Sequence, residues 1–134
     1  MKFFISLLAA AFVFSSCSTD LTEEERKKML KIAEHEIHEI MEDMDLPEYG
    51  IVQMVKRDEI LTKDFQKASA DMIKYGRQMK DVKHPDAKFN QFNDEMLDAF
   101  DHFEEALKTK DKAKILASWK AVDATCKKCH DAYE

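Results

Sequence analysis

With 134 residues, the chain is long enough for one domain around one core and too short for two comfortable ones. Two glycines and two prolines in a chain that is 36% charged, beside abundant Lys, Glu, Ala, Met and Leu, point to an all-helical protein. A formal net charge of −6 with acidic and basic residues interspersed leaves no basic face, which argues against nucleic acid as a partner; an acidic surface suits solubility or docking on a basic protein.

The first residues read as an export leader, not as part of the fold. Met1-Lys2 is a short basic start, and Phe3 to Phe14 is an apolar run too short to span a bilayer comfortably. Phe14-Ser15-Ser16-Cys17 follows and resembles a bacterial lipoprotein signal, in which the cysteine is lipidated and becomes the mature N-terminus. An ordinary secretory leader cut nearby is the alternative. On the lipoprotein reading, residues 1–16 are signal peptide, 17–21 a lipidated tether and 22–134 the folded domain. Ser18 instead of Asp after the cysteine leans towards the outer membrane, so the expectation is a periplasmic protein held to that membrane by a lipid on Cys17. Of the three cysteines, Cys17 serves the anchor, and Cys126 and Cys129 belong to a motif near the far end. None is left for a structural disulfide, although export would permit one.

Helical periodicity then takes over. From Leu21 to about Met44 the apolar stripe runs Leu30, Ala33, Ile37, Ile40 and Met44, with Met29 and Met41 on its margins. Thr22-Glu23-Glu24-Glu25 offers a cap and an acidic first turn, which the helix dipole favours. His35 and His38 fall on the opposite face among Glu34, Glu36 and Glu39, as solvated side chains; an i,i+3 metal pair is the sharper alternative. Asp45-Leu46-Pro47-Glu48-Tyr49-Gly50 predicts the end of this helix. Ile51 to Val55 is ambiguous, a turn in the connection or a lead-in to the next helix. The second helix is expected from about Asp58 to Lys80, on Leu61, Phe65, Ala68, Met72, Tyr75 and Met79. Gly76 inside it costs ~1 kcal/mol against Ala, and a close approach to a neighbour is one use for it. Asp81 to His84 reads as a linker and Pro85 as the first position of a third helix. Its stripe is Phe89, Phe92, Met96, Ala99, Phe100, Phe103 and Leu107, with His102 on the flank. Thr109 or Asp111 caps a fourth helix built on Ile115, Trp119, Val122, Cys126, Cys129 and Tyr133. Four amphipathic helices on short connections predict an antiparallel up-down-up-down four-helix bundle. Burying about six large side chains per helix, at roughly 1.5–3 kcal/mol each, would order them.

The chemistry sits in Cys126-Lys127-Lys128-Cys129-His130. C-x-x-C-H is the spacing of c-type haem attachment. Two thiols add across the two vinyl groups of one porphyrin, and the next residue offers an imidazole to the iron. On a helix the three side chains share one side. Both cysteines occupy the core-facing seam, so a haem attached there lies inside the bundle at one end. A thioredoxin-type pair wants a helix N-terminus beside a sheet, and no strand pattern is present. A zinc site needs four ligands, and only His35 and His38 remain, on the wrong face. Tyr133, one turn after Cys129, is placed to cover the haem edge. In an antiparallel bundle the start of helix one lies beside the end of helix four. At ~1.5 Å per residue, the stretch opposite His130 is Arg26 to Ala33, with Met29 and Leu30 facing inward. Met29 as a second iron ligand gives six-coordinate iron suited to electron transfer, and the reading leans this way. Leu30 cannot ligate, and leaves five-coordinate iron open to nitric oxide or carbon monoxide.

On these residues the chain resembles the class II c-type cytochromes, the cytochrome c prime family. The likeness covers helix order and length, and is specific over the last third: Cys126 to Tyr133 near the C-terminus of the last helix, preceded by Trp119 and by the segment from Phe100 through Lys110 to Asp111. Class I cytochromes c carry the motif near the N-terminus instead. The resemblance implies one covalently bound haem c per chain and an electron carrier without substrate turnover, hence not an enzyme, working with redox partner proteins; gas binding is the alternative. It also implies a first-helix residue over the open haem face, four positions after an Arg that pairs with a haem propionate. Arg26 matches that Arg, and counting four gives Leu30, with Met29 one position off. Family members are often dimers through their first two helices, so a homodimer is implied as well. Where the family commonly has a basic residue after the Tyr, this chain has Glu134.

Overall fold

The computed structural model describes residues 20–133; the leader, Cys17 and Glu134 lie outside the described residues. Capping chemistry opens the first helix, α1 (Glu23–Lys56). The Thr22 hydroxyl oxygen accepts from the Glu25 amide at 3.2 Å, while the Glu25 carboxylate accepts from the Thr22 amide at 2.8 Å, a reciprocal capping box.

The helix does not stop at Pro47 and Gly50, as their presence predicts. Its buried register runs straight through them: Ala33, Ile40, Met44, Ile51 and Met54 are all in the core. Burying Ile51 and Met54 at roughly 1.5–3 kcal/mol each offsets the ~3 kcal/mol cost of an interior proline. The backbone bond that Pro47 forfeits belongs to the carbonyl of Asp43, an exposed position where water can replace it. Ile51 to Val55 therefore completes α1. Asp58 then turns left-handed, with φ 62°. The Glu59 amide donates to the Met54 carbonyl at 2.8 Å and the Asp58 amide to that of Val55 at 3.2 Å, the paired bonds of a Schellman close.

The second helix is shorter than predicted at both ends. Thr62 caps α2 (Lys63–Gly76) by accepting from the Phe65 amide at 3.2 Å and donating to the Glu59 carbonyl at 2.8 Å, so Leu61 stays exposed. After Gly76 the chain tightens into a 3-10 segment, Arg77–Asp81. Asp86, not Pro85, starts α3 (Ala87–Thr109), its carboxylate accepting from the Lys88 amide at 2.9 Å. Lys110 closes α3 with φ 54°. Asp111 then accepts from the Ala113 and Lys114 amides at the start of α4 (Lys112–Tyr133).

The result is an all-α four-helix bundle, with no strand among the described residues. α1 packs along α2, and α3 along α4. Phe65, Phe100, Phe103, Ile115 and Val122 are fully buried. Phe65 meets Phe103 edge-on at 6.5 Å, and Phe103 lies 5.7 Å from Trp119. This dense aromatic half is the end of the bundle away from Cys126 and Cys129. Gly76 makes its close approach to Phe100: a Cβ there would sit 2.3 Å from a ring carbon. Arg77 ties the end of α2 to α3 through Glu104, at 2.8 and 3.2 Å, and Asp101 at 2.7 Å.

Candidate functional site

Helix four delivers its motif with the thiols inward. Cys126 and Cys129 are half-buried against the core. Lys128, between them, reaches outward to α3, pairing with Glu95 at 2.5 Å and lying 4.5 Å from the Phe92 ring centroid. The buried stripe Ile115, Trp119 and Val122 sets the rotation of α4 about its axis.

α1 and α4 are neighbours around the bundle, yet they do not pack along one another. Two adjoining cavities lie between them. The inner one, about 250 Å³, is walled by Met44, Met79, Phe92, Met96 and Cys126. The outer one, about 920 Å³, is walled by Arg26, Leu30, Ile37, His84 and Tyr133, and its size suits a ligand pocket (~300–1,000 Å³). Met41, Phe89, Cys129 and His130 border both. Later positions on α1 face earlier ones on α4, Arg26 beside Tyr133 and Glu48 beside Asp123, which is the antiparallel order.

Burial, with Glu48 and Asp123 nearby, pushes the Cys126 thiol up to about 12. Its surroundings favour an uncharged sulfur, and a thioether carries no charge. Glu48 is raised from its ordinary value by burial, against the opposing pull of His130. Asn93 is buried on the inner wall with its Nδ2 donating to the Met79 carbonyl at 2.8 Å, while its Oδ1 has no partner among the described residues. Two inward thiols three residues apart, the following imidazole on the wall common to both cavities, a pliable Met and Phe lining and a polar outer rim fit a covalently attached haem.

The structure brings together Cys126, Cys129, His130, Arg26, Leu30 and Tyr133: all but Cys126 border the outer cavity. Met29 does not join them. It lines a separate groove with Leu21, Lys28, Ile32 and Lys83. Adjacent helical residues are about 100° apart, so although Met29 and Leu30 are both half-buried, only Leu30 borders the cavity with Cys129 and His130. Tyr133 packs edge-on against Phe89 and Phe92 at 5.5 and 6.3 Å and donates from its hydroxyl to Asp86 at 2.8 Å. Burial and that carboxylate raise its phenol to about 12.

Several bordering residues escape a reading of the sequence. His84, in a stretch that reads as linker, stacks on Phe89 at 4.2 Å and borders the outer cavity. His38, taken for a solvated residue, sits on its rim while pairing with Glu42 at 3.1 Å. Met41 stood on the margin of the first stripe, and that was the available signal. His35 pairs with Glu39 at 3.6 Å. Among the described residues no three His, Cys, Asp or Glu side chains converge as a metal site.

A family model described as Cytochrome C' matches residues 24–134. No curated protein and no solved structure matches the chain.

Proposed function

The chain belongs to the cytochrome c′ family and is thereby a c-type haem protein, and from that premise we propose that its iron is five-coordinate, redox-active and open to small neutral gases, without substrate turnover. Cys126 and Cys129 would hold the macrocycle as thioethers, and His130 would hold the iron. Haem c supplies an iron that passes between ferric and ferrous and accepts diatomic ligands at an open position. The observation that carries this reading is the position of Leu30, which borders the outer cavity with Cys129 and His130 while Met29 faces another groove. An alkyl side chain has no lone pair to offer iron, and it keeps water from the position it covers.

The second reading is a six-coordinate electron carrier serving redox partner proteins. It is favoured by Met41, whose side chain borders both cavities and whose thioether would raise the potential. Both readings place the protein in the periplasm, held to the outer membrane by a lipid on Cys17, and both are compatible with a homodimer.

An absorption spectrum of protein made with haem-maturation machinery separates them. High-spin bands that shift with carbon monoxide support the first reading. Low-spin bands with a methionine charge-transfer feature, lost in Met41→Leu, support the second. A colourless product whose mass lacks the porphyrin increment sinks both. Intact mass of membrane-extracted protein tests the lipid.

A further inference from the structure

We propose that His84 holds a haem propionate by hydrogen-bond donation from Nε2, an additional cofactor-binding residue on the wall of the outer cavity; the inference rests on the haem reading above.

The ring is fixed on several sides. The Asp86 backbone N–H donates to Nδ1 at 3.1 Å. Nδ1 is therefore an acceptor, and the neutral imidazole carries its proton on Nε2. Phe89 stacks on the ring at 4.2 Å and 24°, and Tyr133 meets it at 6.2 Å and 70°. The His84 carbonyl accepts from Asn90 Nδ2 at 3.0 Å, anchoring the backbone beneath. Burial lowers the ring's proton affinity from the ordinary histidine value, in keeping with the neutral form. One committed donor, Nε2–H, is left on a residue that borders the cavity with Arg26, Cys129 and His130.

The chemistry selects what that donor meets. The anionic acceptors of a haem are its two propionate carboxylates. The inner cavity has Lys127 in its lining, but beside it stand Asp45, Glu48 and Asp123, three carboxylates that repel a propionate, and Asn93 Oδ1 there is itself an acceptor. The outer cavity offers Arg26, His84 and, on its rim, His38, whose Nε2 is turned to Glu42 at 3.1 Å. Its own carboxylates are Glu34 and Asp86, and Asp86 is already engaged by Tyr133 and the Lys88 amide. Glu34 is the competitor. Ligation of iron by Nε2 would require moving the proton to Nδ1 and breaking the bond from Asp86, so the same geometry keeps His84 off the metal.

The test uses the full, haem-loaded chain and three variants. His84→Phe keeps the stack and loses the donor. His84→Asn keeps an acceptor for the Asp86 amide and withdraws the donor from the Nε2 position, its own NH2 being too short to reach there, which covers the case in which Phe disturbs the loop. His84→Gln returns an amide N–H near the Nε2 position. Midpoint potential and the resonance Raman propionate bending mode are read alongside thermal melts. With the donor gone, the propionate charge is less neutralised and ferric iron is favoured. The reduction equilibrium constant should fall about threefold, ~30 mV for a one-electron couple, in Phe and Asn, with Gln close to the parent. An unchanged potential and bending mode in both variants without a donor at the Nε2 position overturns the proposal. So does a Glu34→Gln variant that abolishes the effect of His84→Phe, which would make Glu34 the partner. A bis-imidazole low-spin spectrum lost in His84→Phe overturns it too, by placing His84 on the iron. A colourless protein fails one step earlier, at the haem reading itself.

Discussion

Gly76 and Phe100 show how narrowly single positions are specified. In an ordinary exposed helix Gly→Ala gains ~1 kcal/mol. Here the new methyl would sit 2.3 Å from one carbon of the Phe100 ring and 2.6 Å from another, and Phe100 is fully buried. Gly76→Ala should therefore lose about 1–3 kcal/mol in urea unfolding, and pairing it with Phe100→Leu should cost less than the sum of the two changes. A second prediction concerns Asp86. Its carboxyl is held below the ordinary carboxylate value by the Tyr133 hydroxyl first and the Lys88 amide next. The stability this contributes is present above the unfolded value and is lost as pH falls through the lowered folded one. The acid limb of a melting-temperature profile should be shallower in Asp86→Asn, and in Tyr133→Phe, than in the parent. At this scale the motif itself was legible, because Cys126, Cys129 and His130 state their chemistry through spacing alone. His84 was not, because a histidine before a proline looks like connection until folding lays it on Phe89. Nor was the choice between Met29 and Leu30: a stripe with broad margins does not resolve a rotation of one residue.

Among the elements, α1 is the instructive case. Proline and glycine within four positions predict a stop, and the buried register on either side predicts continuity; the register prevails because a whole face is worth more than one hydrogen bond. Pro47→Ala should accordingly raise the stability of the bundle by about 2 kcal/mol, regaining most of the ~3 kcal/mol proline penalty less ~0.4–1 kcal/mol for a more flexible unfolded chain. Thermal and urea melts check this, and a lowered midpoint would show that a local bend at Pro47 is needed by the packing around it. The cap at Thr22 was readable, and that of α4 was narrowed to Thr109 or Asp111, of which Asp111 serves. The Asp86 cap was hidden by the more conspicuous Pro85, and the left-handed close at Asp58 by the absence of glycine there.

For the molecule as a whole, composition and periodicity were enough for the bundle, its helix count and which end carries the motif. They were silent on the space between α1 and α4, because periodicity reports which face turns inward and says nothing of how far the opposite wall stands. In the chain with Cys126→Ser and Cys129→Ser, far-ultraviolet helicity should persist while hydrogen exchange accelerates in the last two turns of α4 and the first turns of α1. Amides around Phe65, Phe103 and Trp119 should remain protected. Equal protection at both ends would contradict the division of the bundle into a dense half and a hollow one.

That division gives the protein the anatomy of a spanner, a solid handle joined to an adjustable jaw. Widening or narrowing the jaw, by exchanging Leu30 or Met41 for smaller or larger apolar side chains, changes its dimensions at small expense to the handle. Filing the handle at Phe103 or Trp119 slackens every dimension at once. Substitutions at the first set of positions should therefore be tolerated by the fold better than substitutions at the second.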